Sequence, residues 1–189
     1  MSWLQCSAWS TAMVILLLLS VIYIVGFLIT VLHETAHIAS IYEIGETPQY
    51  VQIGVPTLLC IKYRNIVFYP LFPFAGRTYM TLHTNPSKFR MLVFTLAGCI
   101  AGITASISCG FFGYMLLPNE ALTEFHRNGH RLGFLLRDIL SGSSDLQTTC
   151  ATALIMSAVI FGIQHIGNLA PVKHYDGHNF LRVLFHRQQ

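Results

Sequence analysis

Residues 11–37 read TAMVILLLLSVIYIVGFLITVLHETAH, an apolar stretch that ends in two histidines and a glutamate. No Asp, Glu, Lys or Arg occurs in residues 1–32. Because a helix of about 20 apolar residues crosses the hydrocarbon core of a bilayer, the stretch predicts a membrane-spanning helix over about residues 11–41. The histidines and the glutamate would then lie near one end of this helix.

Two further runs without charged residues predict two more spans. The chain is 53% hydrophobic and only 10% charged, whereas soluble domains carry about 25% charged residues. This composition disfavours a soluble protein with very apolar core helices. It also disfavours a cleavable signal peptide, because the first run has no Lys or Arg and exceeds a signal's core of about 7–15 residues. We predict an α-helical integral membrane protein, one domain over residues 1–189, with spans at about 11–41, 91–117 and 146–169.

The cations between the predicted spans indicate the orientation of the chain. The segment after the first span and the tail after the third lie on one side and carry most of the Lys and Arg residues. The positive-inside rule makes that side cytoplasmic, so the N-terminus is predicted outside and the C-terminus in the cytoplasm. This uneven distribution of Lys and Arg is sufficient to explain the net charge of +3, so the charge does not indicate a nucleic-acid partner. The cations are Lys62, Arg64, Arg77, Lys88, Arg90, Lys173, Arg182 and Arg187 on the cytoplasmic side, and Arg127, Arg131 and Arg137 on the other.

The segment over about residues 50–80 predicts a small β-sheet rather than a fourth span. Two β-rich pieces, Leu58–Lys62 and Ile66–Tyr69, flank a short polar turn, which is typical of a β-hairpin. A span here would bury Lys62 and Arg64 near its centre, which is costly in lipid. Because strand edges at membrane depth need protein or water beside them, we expect a re-entrant or interfacial sheet between the first two spans.

The residues His33-Glu34-Thr35-Ala36-His37 form an HExxH pattern. Residues four apart share one face of a helix, so both imidazoles can reach one metal ion, and Glu34 can reach water bound to that ion without being a ligand. Zinc lowers the pKa of its bound water to about 7, and a nearby carboxylate can accept the proton. Ionisable groups within spans are rare and mostly functional. The pattern therefore predicts a hydrolytic zinc site.

A third protein ligand must come from outside this motif, because a catalytic zinc takes three protein ligands and a water molecule. Spacing alone does not choose among four residues at the end of the third span and beyond it. His126 and His130 repeat the four-residue spacing, but no glutamate lies between them and their segment is on the other predicted side; we interpret them as surface residues. The candidate ligands are His165, His174, Asp176 and His178.

Residues 168–177 read NLAPVKHYDG, an NxxPxxxxDG element. Together with HExxH, this element resembles the site-2 protease family of intramembrane zinc proteases. Less specific similarities to the family's re-entrant sheet and loop lie at IGVP (53–56) and FPFAGRTYM (72–80), and LAG (96–98) resembles the start of its second core helix. The resemblance covers the chain from the first span to residue 177.

The resemblance implies a fold and a set of roles. It implies that Asp176 is the third ligand to one Zn²⁺, that Glu34 is the general base, and that Asn168 lies near the substrate or the developing oxyanion. A hydrogen-bonded interhelical role for Asn168 stays open. His165, on the same helical face, is interpreted as a polar neighbour. The departures from the family are Cys99 and Gly102, where Pro and Asn are usual, and Lys173 and His174, where apolar residues are usual.

The function implied by the resemblance is regulated intramembrane proteolysis. The substrate would be a single-span membrane protein or a membrane-tethered regulator in a lipid bilayer, and the compact chain favours a prokaryotic cell membrane. A zinc transporter or sensor is an alternative, but it would carry metal ligands on several spans, and residues 91–119 contain no His, Asp or Glu. An inactive scaffold homologue is another alternative, but such proteins typically lose the base, and Glu34 is present.

Overall fold

The protein is mostly helical, with one small sheet. A computed structural model describes residues 3–81, 83, 86–129, 132–141, 144–173 and 175–185, with side chains from residue 11 onwards, and six helices and four strands occur within these ranges. The elements are α1 (Trp3–Ile44), β1 (Pro48–Ile53), β2 (Ile61–Tyr63), β3 (Ile66–Phe68), β4 (Gly76–Met80), α2 (Lys88–Leu116), α3 (Asn119–Arg127), α4 (Leu132–Leu140), α5 (Leu146–Gly167) and α6 (Asp176–Phe185).

Three of the helices are long and apolar enough to cross a membrane. They are Thr11–Ile44 of α1, Lys88–Leu116 and Leu146–Gly167. The three predicted long helices are therefore confirmed, although α1 extends beyond the predicted range at both ends. Gly45 ends α1 with a φ of 91°, and its N–H and that of Glu46 donate to Tyr42 and Ile41. This is the Schellman pattern, for which glycine is the favoured residue.

The segment after α1 forms a four-stranded sheet in the order β2-β3-β1-β4. β1 pairs parallel with β3 and antiparallel with β4. The predicted hairpin is confirmed as the antiparallel pair β2–β3, with Arg64 in the left-handed region at a φ of 53°. The predicted first strand begins too early, since residues 58–60 lie outside the sheet. Asn65 secures the turn by donating from Nδ2 to the Pro48 carbonyl at 2.9 Å.

Residue contacts divide the chain into two units, one of residues 1–25 and 106–160 and the other of residues 26–105 and 161–189. The first unit contains α3 and α4, which the sequence does not predict because each is only nine residues long. Both helices bury an apolar side: Phe125 and Leu135 pack with Leu117 and Ala151. α3 and α4 thus pack against the other helices of their own unit.

The second unit contains the sheet and every candidate ligand that the structure describes. Its last helix, α6, is also absent from the predicted elements. α6 begins at Asp176 itself, and a carboxylate in the first turn interacts favourably with the positive end of the helix dipole. Helix formation therefore helps to place Asp176.

Candidate metal centre

Two imidazoles and one carboxylate converge in the second unit. His33 and His37 lie one turn apart on α1 and are 6% and 5% exposed. Their Nε2 atoms lie 3.4 and 3.5 Å from Oδ2 of Asp176. The three ligand atoms all lie within 4.8 Å of one another, so these residues could hold one metal ion. The structure thus brings together the two histidines of HExxH and one of the four candidate third ligands.

The loop that carries Asp176 is closed by a backbone hydrogen bond. The N–H of Gly177 donates to the carbonyl of Asn168 at 2.9 Å, so the two ends of the NxxPxxxxDG element meet. A Cβ at residue 177 would lie 1.9 Å from the Leu169 carbonyl oxygen, and glycine alone fits this approach. The structure therefore gives Asn168 a main-chain role in placing Asp176, while the role of its amide towards a substrate stays a prediction.

Asp176 is charged in this setting. Burial opposes ionisation, but hydrogen bonds and charge interactions with His33 and His37 outweigh it and hold the pKa of the carboxyl below its ordinary value. An ionised carboxylate is the form that ligates a metal.

The orientation of His37 is set by α2. Its Nδ1 lies 2.9 Å from the Phe94 carbonyl, so Nδ1–H donates to that carbonyl and Nε2, on the side of Asp176, is the ring nitrogen left for a metal ion. Metal-binding histidines commonly donate their second N–H in this way, which fixes both tautomer and ring orientation. His37 is therefore prepared to ligate through Nε2.

Gly98 on α2 leaves the space in which the two imidazoles meet. A Cβ at this position would lie 2.3 Å from Nε2 of His37 and 2.6 Å from Nε2 of His33. No side chain larger than hydrogen fits beside both nitrogens. The absence of a side chain at residue 98 is thus a requirement of the site.

Glu34 lies beside the ligand group and outside it. Its side chain is 2% exposed, and Oε1 lies 3.9 Å from Nε2 of His33. Thr78 on β4 donates from Oγ1 to Oε2 at 2.6 Å, and a Cβ at Gly76 would lie 2.3 Å from Oε1. The sheet therefore holds the carboxylate in place, with one oxygen bound and the other facing the histidines.

Several residues at the site are not recognised from the sequence. Cys99 is fully buried and donates from Sγ to Oδ2 of Asp176 at 3.3 Å, whereas the sequence marks it only as a departure from the family pattern. Thr78 and Phe94 act through contacts with α1; Thr78 lies within the FPFAGRTYM similarity, which does not indicate its contact with Glu34, and no local signal indicates Phe94. For Gly76, the FPFAGRTYM similarity is the one signal that could have been used.

The remaining candidate histidines have other positions. His165 is 2% exposed, and its ring centroid lies 5.0 Å from that of His33, but it does not belong to the ligand group. His178 lies on α6, also outside this group, and His174 lies outside the described residues. His126 is exposed and within 2.9 Å of the Tyr114 hydroxyl, in line with a surface residue; His130 lies outside the described residues.

The donor set fits a catalytic zinc ion. Two imidazole nitrogens and one carboxylate oxygen are a known ligand set of zinc hydrolases, and three protein ligands leave one position for water or substrate. The space that Gly98 leaves beside the two imidazoles and the fixed tautomer of His37 are also compatible with a bound zinc ion. No protein-family model, curated protein or solved structure matches this chain.

Proposed function

We propose that the protein is a zinc-dependent endopeptidase that cleaves a membrane-spanning segment of a membrane protein. The observation that carries this proposal is the arrangement of four side chains. His33, His37 and Asp176 form a group that could hold a metal ion, and Glu34 lies next to that group with its carboxylate held by Thr78. Ligands with an adjacent, separate carboxylate are the arrangement of a hydrolytic zinc site.

Each of these side chains has a defined task in the proposed reaction. The two imidazoles and Asp176 would hold the zinc, which when bound supplies Lewis-acid polarisation and a water of lowered pKa. Glu34 accepts a proton at its carboxylate and passes it to the leaving amine. The Thr78 hydroxyl fixes Oε2 of Glu34, so that Oε1 remains on the side of the histidines.

The proposed substrate class follows from where the site lies. His33 and His37 are within the candidate span Thr11–Ile44, so the scissile bond would also lie in or near the bilayer. A single-span membrane protein or a membrane-tethered regulator is the substrate expected. Its helix must unwind locally, because the carbonyl to be attacked is otherwise hydrogen-bonded within the helix. The proposed orientation places the site towards the cytoplasm.

The outer strand β4 is the proposed binding edge for the unwound segment. Of the two outer strands of the sheet, β2 and β4, β4 carries the residue that contacts Glu34. An extended peptide can join such an edge by main-chain hydrogen bonds. The segment before β4 is held to α5 by Gln164, which donates to the Phe74 carbonyl.

The transporter alternative has less support. A path for a metal ion needs ligands along several helices, yet α2 contains no His, Asp or Glu. A scaffold without activity has no need for a buried carboxylate held beside a metal-binding group. Glu34 thus favours catalysis over both alternatives.

A substitution at Glu34 tests the proposal. We expect Glu34→Gln to retain one zinc per chain and to lose cleavage. The matched control is Glu43→Gln, an exposed position on the same helix, which should retain both. A substrate is first identified by mass spectrometry of the membrane segment retained by the Glu34→Gln protein, and cleavage of that segment is then measured in proteoliposomes with and without a chelator. A wild-type protein without stoichiometric zinc, or an active Glu34→Gln protein, would contradict the proposal.

A further inference from the structure

The imidazole of His165 is buried beside the proposed metal site without belonging to it. It is 2% exposed, and its ring lies 5.0 Å from the His33 ring at 53°. Its Nδ1 lies 2.7 Å from the Phe161 carbonyl, one turn earlier on α5. Nδ1–H therefore donates to that carbonyl, and Nε2 carries the lone pair, which makes it a hydrogen-bond acceptor.

His33 lacks the second contact that His37 has. Nδ1 of His37 donates to the Phe94 carbonyl, whereas Nδ1 of His33 is a buried side-chain atom with no hydrogen-bond partner among the described residues. A neutral imidazole that ligates through Nε2 carries its proton on Nδ1. Metal-binding histidines almost always donate that proton to an acceptor. His33 thus needs an acceptor once its Nε2 binds a metal.

We infer that His165 is the positioning residue of the metal site: its Nε2 accepts the hydrogen bond from Nδ1–H of His33 when the metal binds. The inference rests on the proposed metal site. Its basis is the proximity of the two rings together with two nitrogens of complementary character, a donor without a partner on His33 and an acceptor on His165. Through this contact α5 would hold the tautomer and the ring plane of His33, as α2 does for His37.

Gly102 supports the inference, because it leaves space for the acceptor ring. A Cβ at residue 102 would lie 2.0 Å from Cδ2 and 2.4 Å from Nε2 of His165. The α2 helix therefore presents glycine to both sets of rings, Gly98 to the ligands and Gly102 to His165, one helical turn apart. Helix packing alone does not require glycine at both positions, since alanine is also a small packing residue in spans.

The zinc affinity of purified protein in detergent tests the inference, measured by competition with a chelator of known affinity. We expect His165→Leu, which removes the acceptor at similar volume, to weaken zinc binding by about 10- to 100-fold, the usual effect of losing such a contact. We expect His165→Gln, whose Oε1 can accept in place of Nε2, to keep most of the affinity. The control is Ser157→Ala, which removes another buried polar group from α5 and should leave the affinity unchanged.

The outcomes separate a positioning role from a purely structural one. Loss in His165→Leu with rescue in His165→Gln supports the inference, whereas equal loss in both variants, or none in His165→Leu, overturns it. If His165→Leu does not fold, Gly102→Ala takes its place, because it displaces the ring without removing it, and the same loss is expected. A wild-type protein that binds no zinc overturns the proposed function and this inference together. If the wild type binds zinc and both His165 variants bind it with the same affinity, the inference alone is overturned.

Discussion

Substitution of Gly98 by alanine is the most direct test of the proposed site. The new Cβ would lie 2.3 Å from Nε2 of His37, whereas ordinary van der Waals contact begins at 3.4 Å. The imidazole would have to retreat by about 1.1 Å, the difference between these two distances. Metal–ligand distances tolerate deviations of only about 0.2 Å. We therefore expect Gly98→Ala to lower zinc affinity by more than about 100-fold, beyond the usual effect of losing a supporting contact.

The assay is the zinc dissociation constant of the purified protein, determined together with its thermal melting in the metal-free state. Gly133→Ala on α4 is the matched control, because a Cβ there meets no atom within 4 Å; it should bind zinc like the wild type. A Gly98→Ala protein that melts like the wild type and binds zinc with unchanged affinity would refute the placement of α2 against the two imidazoles.

Substitutions at three further positions have defined outcomes. Thr78→Val removes the hydrogen bond to Glu34. Because a hydrogen bond to a charged group contributes about 1.5–3 kcal/mol, kcat should fall about 10- to 100-fold, while the zinc content stays at one per chain. An unchanged kcat would contradict the role of Thr78. Cys99→Ala should weaken zinc binding about 10-fold, and Cys99→Ser should restore it, since a hydroxyl can also donate to Asp176. Asp145 caps α5 by accepting a hydrogen bond from the N–H of Thr148, and this bond holds the pKa of Asp145 below its ordinary value of 3.8. The cap therefore stabilises the folded protein fully above pH 3.8, and this stabilisation is lost as the pH falls through the lowered pKa. Asp145→Ala should cost about 1 kcal/mol at pH 7, and its melting curve should converge with that of the wild type in acid, whereas a difference independent of pH would count against the cap.

The long helices and the hairpin could be predicted because their signals are local. An uncharged run longer than a bilayer core indicates a helix wherever it occurs in the chain, and Gly45 marks the end of α1 through its own backbone conformation. The short turn at Arg64 likewise joins neighbouring strands. In each of these cases, the residues that form the element also contain the information that predicts it.

The short helices could not be predicted in this way. α3, α4 and α6 contain nine or ten residues each, and isolated helices of this length are marginal in water. α3 and α4 are stabilised by packing within their own unit, to which Phe125 and Leu135 contribute. That packing depends on residues far away in sequence, so no pattern within the helix is sufficient.

The candidate site likewise contains some residues that local spacing predicts and others whose role depends on tertiary contacts. HExxH places His33, Glu34 and His37 by helical spacing alone, while the approach of Asp176 depends on the resemblance and on a loop closed between residues 168 and 177. The meaning of Gly98 depends wholly on tertiary contact. From the sequence it is a small residue in a span, and only the positions of the imidazoles show that it makes room for them. Thr78 and Cys99 are missed for the same reason.

The separation of the ligands along the chain has a consequence for biosynthesis. The histidine pair belongs to the first long helix, and Asp176 follows the third, so a ribosome synthesises all three long helices before it reaches Asp176. A nascent or prematurely released fragment would contain the imidazoles and Glu34 but lack the third metal ligand. The proposed proteolytic activity would therefore arise only after all three long helices have been synthesised.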